Sequence, residues 1–62
     1  MSIRETIKTW KWRIAKTGKS MNEISKELNI SPSVLSQYCS GFISPSIERF
    51  DLIEEKLKDL GV

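Results

Sequence analysis

The side chains that most often carry enzymatic chemistry are scarce in this chain. It has no histidine and one cysteine, Cys39. A histidine general base, a histidine-based metal site and an internal disulfide are therefore ruled out. Glu54 and Glu55 are adjacent on a helical stretch and point to different faces, so they make no paired acid–base set. The sequence contains no phosphate-binding glycine loop and no cluster with metal-ligand spacing. No catalysis, cofactor, metal or small-molecule ligand is expected. What remains is charge and hydrogen bonding, and the charge is uneven. Residues 1–19 carry Arg4, Lys8, Lys11, Arg13, Lys16 and Lys19 against Glu5 alone. Residues 20–40 set Lys26 against Glu23 and Glu27, and residues 41–62 set Arg49, Lys56 and Lys58 against five carboxylates. The net charge of +2 thus hides a basic front and an acidic back. A charge run alone is usually a solvated helix face, but this polarity also suits a protein that meets a polyanion with one side.

The elements that must position these groups are short helices. Ser2 caps the first, Glu5 sits three residues later, and Gly18 ends it, which predicts a helix over 2–17. Ile3, Ile7, Trp10 and Ile14 form its apolar stripe. Trp12 lies off that stripe and is expected to be partly buried at its edge or against the last helix, with a partner surface as the alternative. Ser20 and Glu23 repeat the capping signature for a helix over 21–28. Asn29 tolerates positive φ at its end, and Ile30 plugs the corner. Ser31 and Pro32 start a third helix over 32–40, closed by Gly41. A fourth runs from Pro45–Ser46 to about Leu60. Its expected core stripe is Ile47, Phe50, Ile53, Leu57 and Leu60. Phe42, Ile43, Leu52 and Val62 are left without an obvious place in the core. The fold class is therefore all-α: a small four-helix domain spanning residues 1–62. Its 62 residues bury only about 60% of the unfolded surface, so stability is marginal. No signal peptide and no membrane span are expected, and a reducing cytoplasm is the expected compartment.

Two short helices joined by so tight a turn cross steeply, and the second presents its outer face: a helix-turn-helix over about 20–41. The ordered set Ser20, Ile24, Ser25, Leu28, Asn29, Ile30, Ser31, Leu35, Ser36, Tyr38, Gly41 and Pro45 resembles the lambda-repressor/Cro-like (XRE-type) helix-turn-helix family. Many members carry five helices, and a fifth is the alternative to the four read here. The resemblance implies a DNA-binding transcriptional regulator of phage, prophage or plasmid origin that binds double-stranded DNA as a homodimer. It places base-reading roles on Pro32, Ser33, Ser36 and Gln37. Of these, the Gln37 amide is best suited, because it pairs bidentately with adenine. It places phosphate contacts at the start of the second helix, Ser20 and Met21, and at the loop Gly41–Ser44, with Ser31, Ser40 and Ser44 as further donors. A glutamine is usual where Met21 stands, and Lys16 and Lys19 are expected to compensate. Phe42, Ile43 and Leu52 are candidates for a dimer surface.

One departure from the family is informative. Members often pair an arginine late in the first helix with a glutamate near the end of the third. Ile14 and Cys39 occupy those positions here, so the two are expected to pack as apolar neighbours. Two other functions fit the same fold. The run Ser33–Gly41 also resembles the N-terminal domain of phage Mu B-type transposition ATPases, which implies an accessory role in transposition or recombination. The Gly-Asp that follows in those relatives is replaced here by Ser44–Pro45. An antirepressor-like protein-interaction domain is the other, favoured by Trp12 and by a third helix without cations.

Overall fold

The computed structural model describes residues 2–62, in four helices: α1 (Ile3–Lys16), α2 (Met21–Leu28), α3 (Pro32–Ser40) and α4 (Ile47–Asp59). Each begins with a serine cap: Ser2, Ser20, Ser31 and Ser46 accept the N–H three residues on at 3.1–3.2 Å. Each such bond satisfies a first-turn donor that has no partner inside its helix. Ser20 also donates its hydroxyl to Glu23 Oε1 at 3.4 Å.

Three helices close in the same way. Asn29, Gly41 and Gly61 take left-handed φ values of 58°, 80° and 83°. The next N–H then returns to a carbonyl five residues back: Ile30 to Ser25, Phe42 to Gln37 and Val62 to Leu57, each at 3.0 Å. Such a closure aims the following side chain at its own helix. Ile30 and Val62 use it to pack on the core, whereas Phe42 remains 79% exposed. Val62, which had no evident place in the sequence pattern, is thereby partly buried against the core.

The core is Ile7, Trp10 and Ile14 of α1, Ile24 and Leu28 of α2, Leu35 and Tyr38 of α3, and Ile53 and Leu57 of α4. Phe50 and Leu60 pack at its edge. The two expected stripes are shorter than the sequence pattern predicted. Ile3 is 49% and Ile47 71% exposed, because the first turn of each helix overhangs the core. Ser25 is fully buried and satisfies its hydroxyl on the Asn22 carbonyl at 2.7 Å. Ile14 and Cys39 both belong to this cluster, Ile14 inside it and Cys39 partly buried against it.

Trp10 rather than Trp12 meets the last helix. Its ring centroid lies 5.5 Å from that of Phe50, and its indole N–H donates to Glu54 Oε1 at 2.9 Å. Arg13 grips the same carboxylate with two bonds, Nη1 to Oε1 at 2.8 Å and Nη2 to Oε2 at 3.2 Å. Nη2 also donates to the Val62 carbonyl at 3.0 Å. Both charged side chains are almost withdrawn from solvent. Trp12 is half-exposed, and the Lys16 ammonium sits 4.4 Å above its ring. No helix among the described residues is long and apolar enough to cross a membrane.

Candidate nucleic-acid interface

Leu35 and Tyr38 turn one side of α3 into the core, and that decides what its other side presents. Pro32, Ser33, Ser36 and Ser40 are exposed, and Gln37 is half-buried. At 3.6 residues per turn, Ser33, Ser36, Gln37 and Ser40 line a single outward face. The backbone of Gln37 is held firmly. Its carbonyl accepts from Phe42 N–H at 3.0 Å, Ile43 N–H at 3.4 Å and the Ser40 hydroxyl at 3.1 Å. Among the described residues no hydrogen bond occupies its side-chain amide, whose donor and acceptor are thus unengaged.

The start of α2 offers backbone rather than side chain. Ser20 uses its hydroxyl twice on Glu23, as acceptor and as donor. The Met21 side chain packs against the core, so a glutamine-like contact is absent there. The N–H groups of Met21 and Asn22 are the first-turn donors left for an anion. Glu23 places a negative charge in that same turn. Ser31 is engaged as the α3 cap, and the Ser40 hydroxyl is spent on the Gln37 carbonyl. Ser44 is exposed in the α3–α4 loop.

The two lysines expected to reach phosphate already have company. Lys19 Nζ lies 3.0 Å from Glu27 Oε2, while Glu27 Oε1 takes Lys56 Nζ at 3.0 Å. The hydrogen bonds from Lys56 and then Lys19 hold the Glu27 carboxyl below the ordinary range. Lys16 is stacked on Trp12. Sequence reasoning could not see either arrangement, since each depends on how a long side chain folds back. It also missed Glu54. Burial there opposes ionisation, but bonds from Arg13 and Trp10 outweigh it and lower the carboxyl below its usual value.

A groove of about 540 Å³ opens between the N-terminal half of α1 and the end of α3. Ile3, Ile7, Tyr38, Cys39 and Ile43 form its apolar lining, and Arg4, Lys8 and the segment Ser40–Gly41 with Ser44 its polar edge. Burial raises the Cys39 thiol above its ordinary value, and Lys11 only partly counters this. Of the proposed dimer residues, Phe42 is the most exposed, with Leu52 at 44% and Ile43 at 36%.

A family model described as helix-turn-helix matches residues 11–60, which includes all of α2 and α3. No curated protein and no solved structure matches the chain.

Proposed function

The chain belongs to the lambda-repressor-like helix-turn-helix family, and from that footing we propose that it is a transcriptional regulator that reads operator DNA with α3. The observation that carries this reading is the single outward face of α3. Ser33, Ser36 and an unengaged Gln37 amide stand on a helix that Leu35 and Tyr38 anchor from behind. Gln37 pairs with an adenine edge, Ser33 and Ser36 discriminate weakly, and Pro32 offers apolar contact to a thymine methyl. The Met21 and Asn22 N–H groups fix one strand of the duplex. A recognition face without arginine or lysine supplies little affinity per copy. The protein therefore acts as a pair on half-sites about one helical turn apart, as a small Cro-like repressor of phage, prophage or plasmid would.

The test is anisotropy of duplex DNA over a salt series, with wild type and Gln37→Ala in parallel and the tryptophans reporting folding. Wild type is expected to bind with a log–log salt slope of several units. On a site selected by wild type, Gln37→Ala is expected to weaken binding by about 1–3 kcal/mol, with random DNA unaffected. A folded wild type that ignores duplex DNA at low salt ends this reading. The exposed Phe42 and Trp12 support a second one, a protein-interaction domain whose binding does not weaken with salt.

A further inference from the structure

We propose that the groove between α1 and the α3–α4 loop seats the sugar–phosphate backbone of the DNA, with Arg4 and Lys8 as its cations. This inference rests on the DNA-binding reading above and extends it to residues outside the helix-turn-helix. Three observations carry it. First, the outer face of α3 runs without a break into the groove. Ser40 shares a face with Ser33 and Gln37 and also stands on the groove edge, followed by Gly41 and Ser44. A strand that follows the reading face is therefore delivered to the groove.

Second, the cations that face it are unspent. Arg4 and Lys8, one helical turn apart, line the groove, and among the described residues neither has a carboxylate within ion-pair distance. By contrast Arg13 is locked on Glu54, Lys19 and Lys56 share Glu27, and Lys16 sits over Trp12. The basic excess of residues 1–19 that is free to meet phosphate thus lies on the first three turns of α1. Third, the groove matches the chemistry of a backbone strand. Charged side chains and the Ser44 hydroxyl at its edge suit the phosphates, while the exposed Ile3 and Ile43 offer apolar surface to deoxyribose. Because these contacts go to the backbone, they add affinity without adding sequence preference.

The experiment compares five proteins on random and on selected duplex DNA across a salt series: wild type, Arg4→Gln/Lys8→Gln, Arg4→Lys/Lys8→Arg, Lys58→Gln and Gln37→Ala. Lys58 is an exposed cation on α4, and its loss reports what removing one charge away from the groove does. The double variant is expected to lose about 1.8 units of log–log salt slope, ~0.9 for each phosphate contact. Its affinity should fall by the same factor on both DNAs. Arg4→Lys/Lys8→Arg, which keeps both charges, should retain the wild-type slope. If wild type binds and Gln37→Ala loses only the selected site, but the double variant behaves as Lys58→Gln does, the groove assignment is wrong and the reading of α3 stands. If folded wild type binds no duplex, both fall.

Discussion

Glu54 shows how much one carboxylate can organise. It holds Arg13 by two bonds and the Trp10 indole by a third, and so joins α1 to α4 beside the Trp10–Phe50 contact. Replacing it by alanine leaves a guanidinium and an indole N–H without their acceptor. The expected cost is about 2 kcal/mol in urea unfolding, below the value for a fully buried pair because some water reaches the site. The pH dependence follows from the direction of the shift. A carboxyl lowered in the folded state binds protons more readily once the chain unfolds. Its contribution is complete above the unfolded value of about 4.5 and is lost as pH falls through the lower folded value. Urea midpoints measured from pH 7 down to 3 should therefore drop below about pH 4.5 in wild type. The drop should be shallower in Glu54→Gln. Glu27, lowered by Lys56 and Lys19, contributes in the same direction and accounts for part of the acid loss that remains.

At the scale of elements, the turn after α3 does two jobs. Gly41 at φ 80° closes the helix, and three donors meet on the Gln37 carbonyl while the loop runs beside the N-terminal half of α1. A side chain at such a φ costs about 1–2 kcal/mol even though space is open around it. Gly41→Ala is accordingly expected to lower the thermal midpoint. If the loop carries phosphate contacts, as proposed, it should also weaken DNA binding beyond what Ser44→Ala does alone, which anisotropy on random duplex would show. The α2 closure uses Asn29 for the same geometry. Its successor Ile30 reaches the core, so the angle between α2 and α3 is secured by packing as well as by the turn.

At the scale of the whole molecule, four short helices share nine buried apolar side chains, and several large ones stay outside. Phe42 is the most exposed of these, on a loop whose closure would ordinarily tuck it in. If it belongs to the pairing surface proposed above, Phe42→Ser should leave folding stability within about 0.5 kcal/mol. The same change should shift sedimentation equilibrium toward the monomer and weaken binding to paired half-sites far more than to a single one. A variant that pairs as wild type does would move the interface elsewhere, to Leu52 or Ile47.

The sequence by itself determined the helices and their ends. Caps, left-handed turn residues and apolar spacing are local signals, and they act within four or five residues. Serine caps at 2, 20 and 31, the stops at Asn29 and Gly41, and a fourth helix starting near Pro45–Ser46 were legible for that reason. The outward placement of Ser33 and Ser36 followed from the positions of Leu35 and Tyr38. Only the tertiary structure decided which cations are spent. Glu54 and Arg13 are 41 residues apart in the chain and Glu27 and Lys56 far from neighbours, so no spacing rule brings them together. It also decided where the stripes end, leaving Ile3 and Ile47 outside and drawing Val62 in, because that depends on how far each helix overhangs its neighbours. A periodic pattern names the face a helix will bury, but the length of that face in contact is a property of the packed assembly.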